Sequence, residues 1–492
     1  METTKKVYDF PFDQVRDQVA SAFRRQSNRG TVADVVGVSG LPKYQVETVL
    51  PAVVAECRGQ MAVTESGEIL YKFPLGLTNP EKSLGKKFLQ GLGKVLAALF
   101  KVWIMVMLVG YFALFVFILI AALVISIALS FAKRGDDDHG DSGGGIMGFY
   151  MVTRVFEFFV LLWLYSGEPR DRQVGRKKPF HKAVFEFVFG SEERPEVRGK
   201  MERKAVISFV RRNKGSISLE ELMALTGKSR QDADIFVSRI MLEYEGEPRV
   251  SDAGTLHFYF PELMKTSLES GRAYQLPDQE LIPFSNNPPK TNNWIIGLNA
   301  FNLVFGTYFI AFGMQGFEAV RNVGDNLGIV YLLTVAGVSA LSDLGVNAAN
   351  AWVTGILGVV PALYSGFFFG IPLVRRWKEG IKNLGIKTNN LRRKLINFVF
   401  AAPTEIRLDQ IQPDDERNAP GKPGPEREAL KEVLLRDLAG DRSLEVKGSE
   451  PLVYSIPDLG GEMADMEETR RKTDLSKLAL GKVVFDTEDR VE

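Results

Sequence analysis

The sequence predicts a mainly α chain with small β wings, in which small helical domains alternate with transmembrane helical hairpins. Three observations carry that prediction. First, residues 102–132 contain no charged side chain, and roughly 20 apolar residues suffice for a helix to span a bilayer core. Second, a polar loop (133–145) separates this run from a second apolar stretch, 146–165, so the two read as a hairpin. Third, residues 12–74 reappear in pattern at 206–261 after a gapless shift of 187 positions (261 − 74).

Composition bounds the function classes. The chain has 492 residues, 61 Lys and Arg against 60 Asp and Glu, and a formal net charge of +1. That length allows several domains, and that balance argues for neither a nucleic-acid nor a polyanion partner. A single cysteine, Cys57, excludes an intrachain disulfide and a cysteine metal cluster within one chain. The three histidines, His139, His181 and His257, are far apart. The first residues lack an apolar core, so no cleaved signal peptide is expected.

The first domain, 1–76, opens with Val15, Val19, Ala22 and Phe23 at helical spacing. Thr31 is placed to cap a short helix over 32–38 by accepting from an otherwise unpaired backbone N–H. Ser39-Gly40 forms a turn, and Pro42 suits the first turn of a helix reaching about Cys57, with Pro51 expected to kink it near Glu47. Two extended runs within 61–73 flank Glu65-Ser66-Gly67, a hairpin signal. Three helices followed by a β-hairpin wing resemble the winged-helix superfamily, on element order rather than on any one motif.

The repeat strengthens that resemblance and is sought before any fold assignment. At the 187-residue shift Val19 meets Val206, Ser21 meets Ser208, and Arg24-Arg25 meet Arg211-Arg212. Gly40, Glu56 and Gly59 meet Gly227, Glu243 and Gly246; Val63, Gly67, Phe73 and Pro74 meet Val250, Gly254, Phe260 and Pro261. The recurring glycines are expected where turns need positive φ. The second copy thus occupies 201–264. A degraded third is expected in 375–460, where 395–399 matches 206–210, 406–411 matches 217–222 and 452–459 matches 256–263, with a Pro/Gly-rich insertion at 412–425. The alternative is chance similarity.

The charges set a topology. Lys82, Lys86, Lys87, Lys94 and Lys101 lie in the linker 77–101; Arg170, Arg172, Arg176, Lys177, Lys178 and Lys182 lie in the segment 168–200 after the hairpin region 102–167. The loop between the spans holds only Lys133 and Arg134 beside four aspartates. An excess of Lys and Arg marks the cytoplasmic side, so the flanking domains are expected there, with loop 133–145 outside, as in a bacterial inner-membrane protein. The stretch 179–190 is basic then aromatic. It either lies along the inner membrane surface or packs on the second domain. Its wording resembles uncharacterised bacterial and plastid membrane proteins, over few residues and with no function implied.

A linker, 265–293, leads to the second membrane region, 294–374. Residues 294–317 and 352–374 read as spans, with a kink expected at Pro361. The segment 327–341 is short for a span and suits a re-entrant position. Arg375, Arg376, Lys378, Lys382 and Lys387 follow, so the C-terminal region is also expected in the cytoplasm, which requires an even number of crossings. The tail 461–492 ends in a short expected strand at 482–485, with no assigned role.

Candidate chemistry is sparse. Arg154 and Glu157 fall in the second apolar stretch, three apart on one helix face, where they either pair at a functional site or snorkel at the outer interface. Asn299 and Asn302, with Gly306 and Gly313, make a small-polar stripe suited to helix packing in lipid, or to a solute path. Asp136, Asp137, Asp138, His139 and Asp141 lack the spacing of a calcium loop. No phosphate loop, nucleophile elbow or paired zinc ligands occur, so neither an enzyme nor a cofactor or metal is expected.

For DNA, a winged helix would need a basic third helix and wing. Here Lys43 faces Glu47 and Glu56, and the wing carries Glu65 and Glu68. In the second copy Lys228, Arg230 and Arg239 face Asp232, Asp234 and Glu243, with Asp252 in the wing. Arg24, Arg25, Arg211 and Arg212 are either a shared contact surface or a solvated helix face. The expectation is a membrane-anchored scaffold or adaptor whose winged helices contact a protein partner. The alternatives are a membrane-tethered DNA-binding regulator and a small transporter or channel subunit.

Overall fold

A computed structural model describes residues 10–74, 76–77, 99–100, 102–132, 180–190, 195–266, 274–323, 326–413, 415–448, 452–478 and 480–487. The second apolar stretch 146–165, the loop 133–145, and the residues Arg154, Glu157, Asp136 and His139 lie outside these. The chain is mainly helical with small sheets, and divides into two units. One comprises Met1–Glu81, Arg194–Ile282 and Ile381–Glu492; the other comprises Lys82–Glu193 and Pro283–Gly380.

The first unit holds three modules of similar element order. In the first, helix Phe12–Arg25 buries Val15, Val19, Ala22 and Phe23, the residues whose spacing predicted it. After β1 (Arg29–Gly30) comes helix Val32–Ser39. Its cap is reciprocal: the Asp34 N–H donates to Thr31 Oγ1 at 3.2 Å, and the Thr31 N–H donates to Asp34 Oδ2 at 2.9 Å. Gly40 closes the helix at φ 70°, a conformation that costs glycine nothing. Helix Lys43–Cys57 continues past Pro51. The hairpin β2 (Gln60–Thr64) and β3 (Ile69–Lys72) completes the module, with β1 paired to β3.

In the second module, after helix Pro195–Arg212, the elements begin 187 positions later. Helix Leu219–Thr226 follows Val32–Ser39 by that interval (219 − 32), as helix Arg230–Tyr244 follows Lys43–Cys57 (230 − 43). The same holds for β4 (Ser216–Ile217), β5 (Glu247–Val250) and β6 (Leu256–Tyr259). Ser218 and Glu221 form the matching capping box, and Gly227 ends the helix at φ 75°.

One expected reason for a recurring glycine is wrong. Gly59 and Gly246 are not the positive-φ residues after the third helices; Arg58 (φ 49°) and Glu245 (φ 52°) are. A methyl group on Gly59 would lie 2.6 Å from the Phe73 ring, and one on Gly246 would strike Phe260. Steric contact with a buried aromatic that follows the hairpin, not backbone conformation, requires glycine there.

The third module uses the end of helix Val360–Ala401, a bridge between Ile406 and Tyr454, the 3₁₀ turn Leu408–Gln410, helix Pro425–Ala439, and the hairpin β7 (Glu445–Lys447) and β8 (Val453–Ser455). The Ile406–Tyr454 bridge occupies the place of the Ile217–Phe258 pair. No chain break marks residue 375, because one helix runs through it. Residues beyond 461 are not a separate tail. Helix Pro457–Lys472 buries Leu459 and Met466, and β9 (Val483–Asp486) joins the first module's sheet, which has the order β1-β3-β2-β9.

Three described helices are long and apolar enough to cross a membrane: Val102–Ala128 and Pro289–Gln315 in the second unit, and Val346–Ala401, of which residues 346–380 belong to that unit. Phe115 is fully buried and stacks on Phe305 and Phe309. Helix Ile329–Ser342 has 14 residues, or about 21 Å at 1.5 Å per residue, short of a hydrocarbon core of about 30 Å. Ahead of Pro361 the helix widens into the π-helical turn Thr354–Val359. Such a turn accommodates a residue that cannot donate to the i−4 carbonyl. Helix Phe180–Phe189 buries Ala183, Val184, Phe187 and Val188 inside this unit rather than on the second module.

Candidate functional site

Asn299 and Asn302 lie one turn apart on helix Pro289–Gln315, and both are fully buried. Asn302 Nδ2 donates to the Leu108 carbonyl at 2.9 Å and the Met107 carbonyl at 3.4 Å. Both carbonyls belong to the π-helical turn Val106–Gly110, where the regular i→i−4 ladder is interrupted. Asn299 Nδ2 donates to the Ser365 carbonyl at 3.3 Å. Among the described residues, the Oδ1 atoms of both amides are buried without a hydrogen-bond partner. Below them Gly306 lets the backbone of Gly358 and Ala362 approach, since a methyl there would lie 3.1 Å from the Gly358 oxygen and 3.0 Å from the Ala362 nitrogen. Gly313 makes the same room for Thr354.

Sequence reasoning missed a second polar group in this unit. Tyr331 Oη donates to Asn350 Oδ1 at 2.5 Å, Asn350 Nδ2 donates to the Gly313 carbonyl at 3.3 Å, and Thr354 Oγ1 donates to the Asn350 carbonyl at 2.7 Å. The available signal was Asn350 and Thr354 at i and i+4 in an otherwise apolar run. Arg375 was also missed as an organiser. Its guanidinium donates to the carbonyls of Phe284 and Phe187, both at 2.8 Å, pairs with Glu379 at 2.6 Å, and stacks on the Phe284 ring at 4.2 Å.

The four arginines do not form one surface. Arg211 is turned inward: Nη2 donates to the Ala33 carbonyl at 2.7 Å and Nε to that of Leu263 at 3.0 Å, and burial pulls its pKa down. Arg24 donates to the Leu77 carbonyl at 2.9 Å. Arg25 and Arg212 are exposed; burial, and then the charge of Arg25, lower the pKa of Lys204.

Three cations on or just before the third helices are engaged by carboxylates. Lys43 pairs with Glu245 at 2.7 Å, Glu262 at 2.8 Å and Glu47 at 3.7 Å. Burial alone would lower its pKa, but the bonds to Glu245 and Glu262 outweigh this and raise it. Lys228 pairs with Glu202 at 2.9 Å, and Arg230 with Glu220 at 3.3 Å. Arg239 is exposed, on the same helix as exposed Ile235 and Leu242, the latter at 84% exposure. Among the described residues, no cluster of three or more His, Cys, Asp or Glu side chains is placed to hold a metal ion.

No protein-family model matches the chain, and no solved structure matches it. The chain is similar to an uncharacterized chloroplastic protein of Arabidopsis thaliana, with 25% identity over 416 residues that cover 77% of this chain and 71% of that protein.

Proposed function

We propose that the protein is a membrane-anchored adaptor whose modules are winged helices, the first two being copies of one ancestral domain, and that they contact a protein partner. The topology in this reading is that of a polytopic protein with its modules on the cytoplasmic side or its organellar equivalent. The β1-β3-β2 sheet, with its three preceding helices and the matching elements 187 positions on, supports the winged-helix assignment. The observation that carries the protein-partner reading is the state of the third helices. Lys43, Lys228 and Arg230 are paired with carboxylates of this chain, whereas DNA affinity rests on cations free to release counterions from phosphates. The outer face of helix Arg230–Tyr244 instead offers Ile235 and Leu242, apolar side chains suited to a protein surface. The buried amides of the spans bond to neighbouring helices, which favours anchoring over transport.

The test is affinity capture of the full-length chain from detergent-solubilised native membranes, with and without nuclease, beside an Ile235→Glu/Leu242→Glu variant. Partners that survive nuclease and are lost with the variant are expected. Recovery of DNA fragments sharing a sequence, with partners lost on nuclease treatment, would replace this reading with that of a membrane-tethered regulator.

A further inference from the structure

We infer that the outer edge of β2 is a strand-acceptor site, that β9 is its internal occupant, and that a partner protein docks there by replacing β9 with an extended segment of its own. The inference deepens the adaptor reading and rests on it for the source of that segment.

β9 pairs antiparallel with β2 through Ala62–Asp486, Val63–Phe485 and Thr64–Val483, with a register irregularity between Val63 and Thr64. The Glu65 N–H donates to the Lys482 carbonyl at 2.9 Å and the Met61 N–H donates to Thr487 Oγ1 at 2.9 Å. An ion pair anchors the end: Lys72 Nζ to Asp486 Oδ2 at 2.5 Å. Apolar burial is partial: Val483, Val484 and Phe485 remain 44%, 69% and 42% exposed. Among the described residues the segment is held by strand pairing, by the Asp486 carboxylate on Lys72 and by partly covered apolar side chains, interactions that an extended apolar segment with a suitably placed acidic residue can reproduce. That is the recognition mode of strand addition to a sheet edge.

The equivalent edge of the second module lacks this capacity. There β5 presents Pro248 where β2 presents Met61 (248 − 61 = 187), and proline has no N–H to give an added strand. The two modules thus differ at this edge. The partner segment is expected to be extended and apolar, with an acidic residue placed like Asp486 against Lys72.

The experiment uses a fluorescent peptide of residues 480–487 as probe and the full-length chain in detergent, a chain ending at Leu478, and a full-length Asp486→Lys chain as acceptors. The shortened chain and the Asp486→Lys chain are each expected to bind the peptide at least tenfold more tightly than the unmodified chain. A peptide carrying Asp486→Lys should lose that binding and recover it on a Lys72→Asp chain. Equal binding to all acceptors, or none to the Asp486→Lys chain, overturns the inference even if the shortened chain fails to fold. Dimerisation of the full-length chain through exchange of β9 would assign the edge to a second copy and also overturn it. Peptide binding without any protein captured from membranes would leave the acceptor edge standing and remove the adaptor reading. Capture that persists without peptide binding would do the reverse.

Discussion

Single residues in this chain act mostly by what they exclude or by the one group they satisfy. Gly59 and Gly67 separate two roles of glycine. A methyl at Gly59 meets the Phe73 ring at 2.6 Å, while Gly67 has φ 80° and open space around it. Gly59→Ala should therefore cost about 1–3 kcal/mol through displacement of a buried ring, and Gly67→Ala about 1 kcal/mol through backbone strain alone. Thermal unfolding followed by ellipticity reads the difference, and equal losses would refute the distinction. Asn302 acts by satisfaction. Replacing it with leucine withdraws the donor from the Leu108 and Met107 carbonyls, and double-mutant work on buried polar pairs in membranes sets the cost at about 0.6–2 kcal/mol. The expected outcome is a lower unfolding temperature in detergent with partner capture retained. Loss of capture at unchanged stability would mean that the amide serves something other than packing.

At the scale of elements, helices and hairpins were legible where one local rule sufficed. Thr31 announced its helix because a hydroxyl can accept from an otherwise unpaired backbone N–H, and the structure makes that bond with the Asp34 N–H. The hairpin announced itself by Glu65-Ser66-Gly67 between extended runs, and β2 and β3 flank that turn. Other features depend on residues far apart in sequence and left no local trace. Arg211 reads as a surface cation beside Arg212, yet its partners are the carbonyls of Ala33 and Leu263. Residues beyond 461 read as mixed charge, yet Arg470 pairs with Glu221 at 2.6 Å and Arg442 bridges Glu220 and Glu462. Of the candidate site, the Asn299 and Asn302 stripe was readable from i, i+3 spacing, whereas the Tyr331–Asn350 bond joins two helices and was not. The same logic yields a prediction for helix Pro457–Lys472. Arg470→Ala removes the partner of a capping-box glutamate, so it should destabilise by about 1–2 kcal/mol. It should also speed amide exchange at the start of helix Leu219–Thr226, and unchanged exchange there would contradict the coupling.

At the scale of the whole molecule, the first two modules are joined by charge as well as by their common apolar core. Lys43 and Lys265 share Glu262, at 2.8 Å and 2.6 Å, and each reaches a further carboxylate, Glu245 for Lys43 and Glu68 for Lys265, at 2.7 Å and 2.8 Å. Burial alone would raise the Glu262 pKa, but the bonds from Lys265 and Lys43 hold it below the ordinary glutamate value. A depressed carboxylate contributes stability that is full above its unfolded pKa, about 4.3, and is lost as pH falls through the lower folded value. For Lys43 the sign reverses: its raised pKa makes its contribution full below the ordinary lysine value and lost only as strongly alkaline pH rises through the folded one. Mild acid should thus loosen this junction through Glu262 while Lys43 stays charged. Replacing Lys43 with methionine should cost about 1–2 kcal/mol at neutral pH, and the penalty should shrink as pH falls below about 4.3 and through the lower folded value of Glu262, where a protonated carboxyl no longer needs the ammonium. Unfolding temperatures of the two full-length chains, measured across that range, should converge. A gap that stays constant with pH would show that Lys43 supports the junction by packing of its methylene chain, and the charge account of the junction would have to be given up.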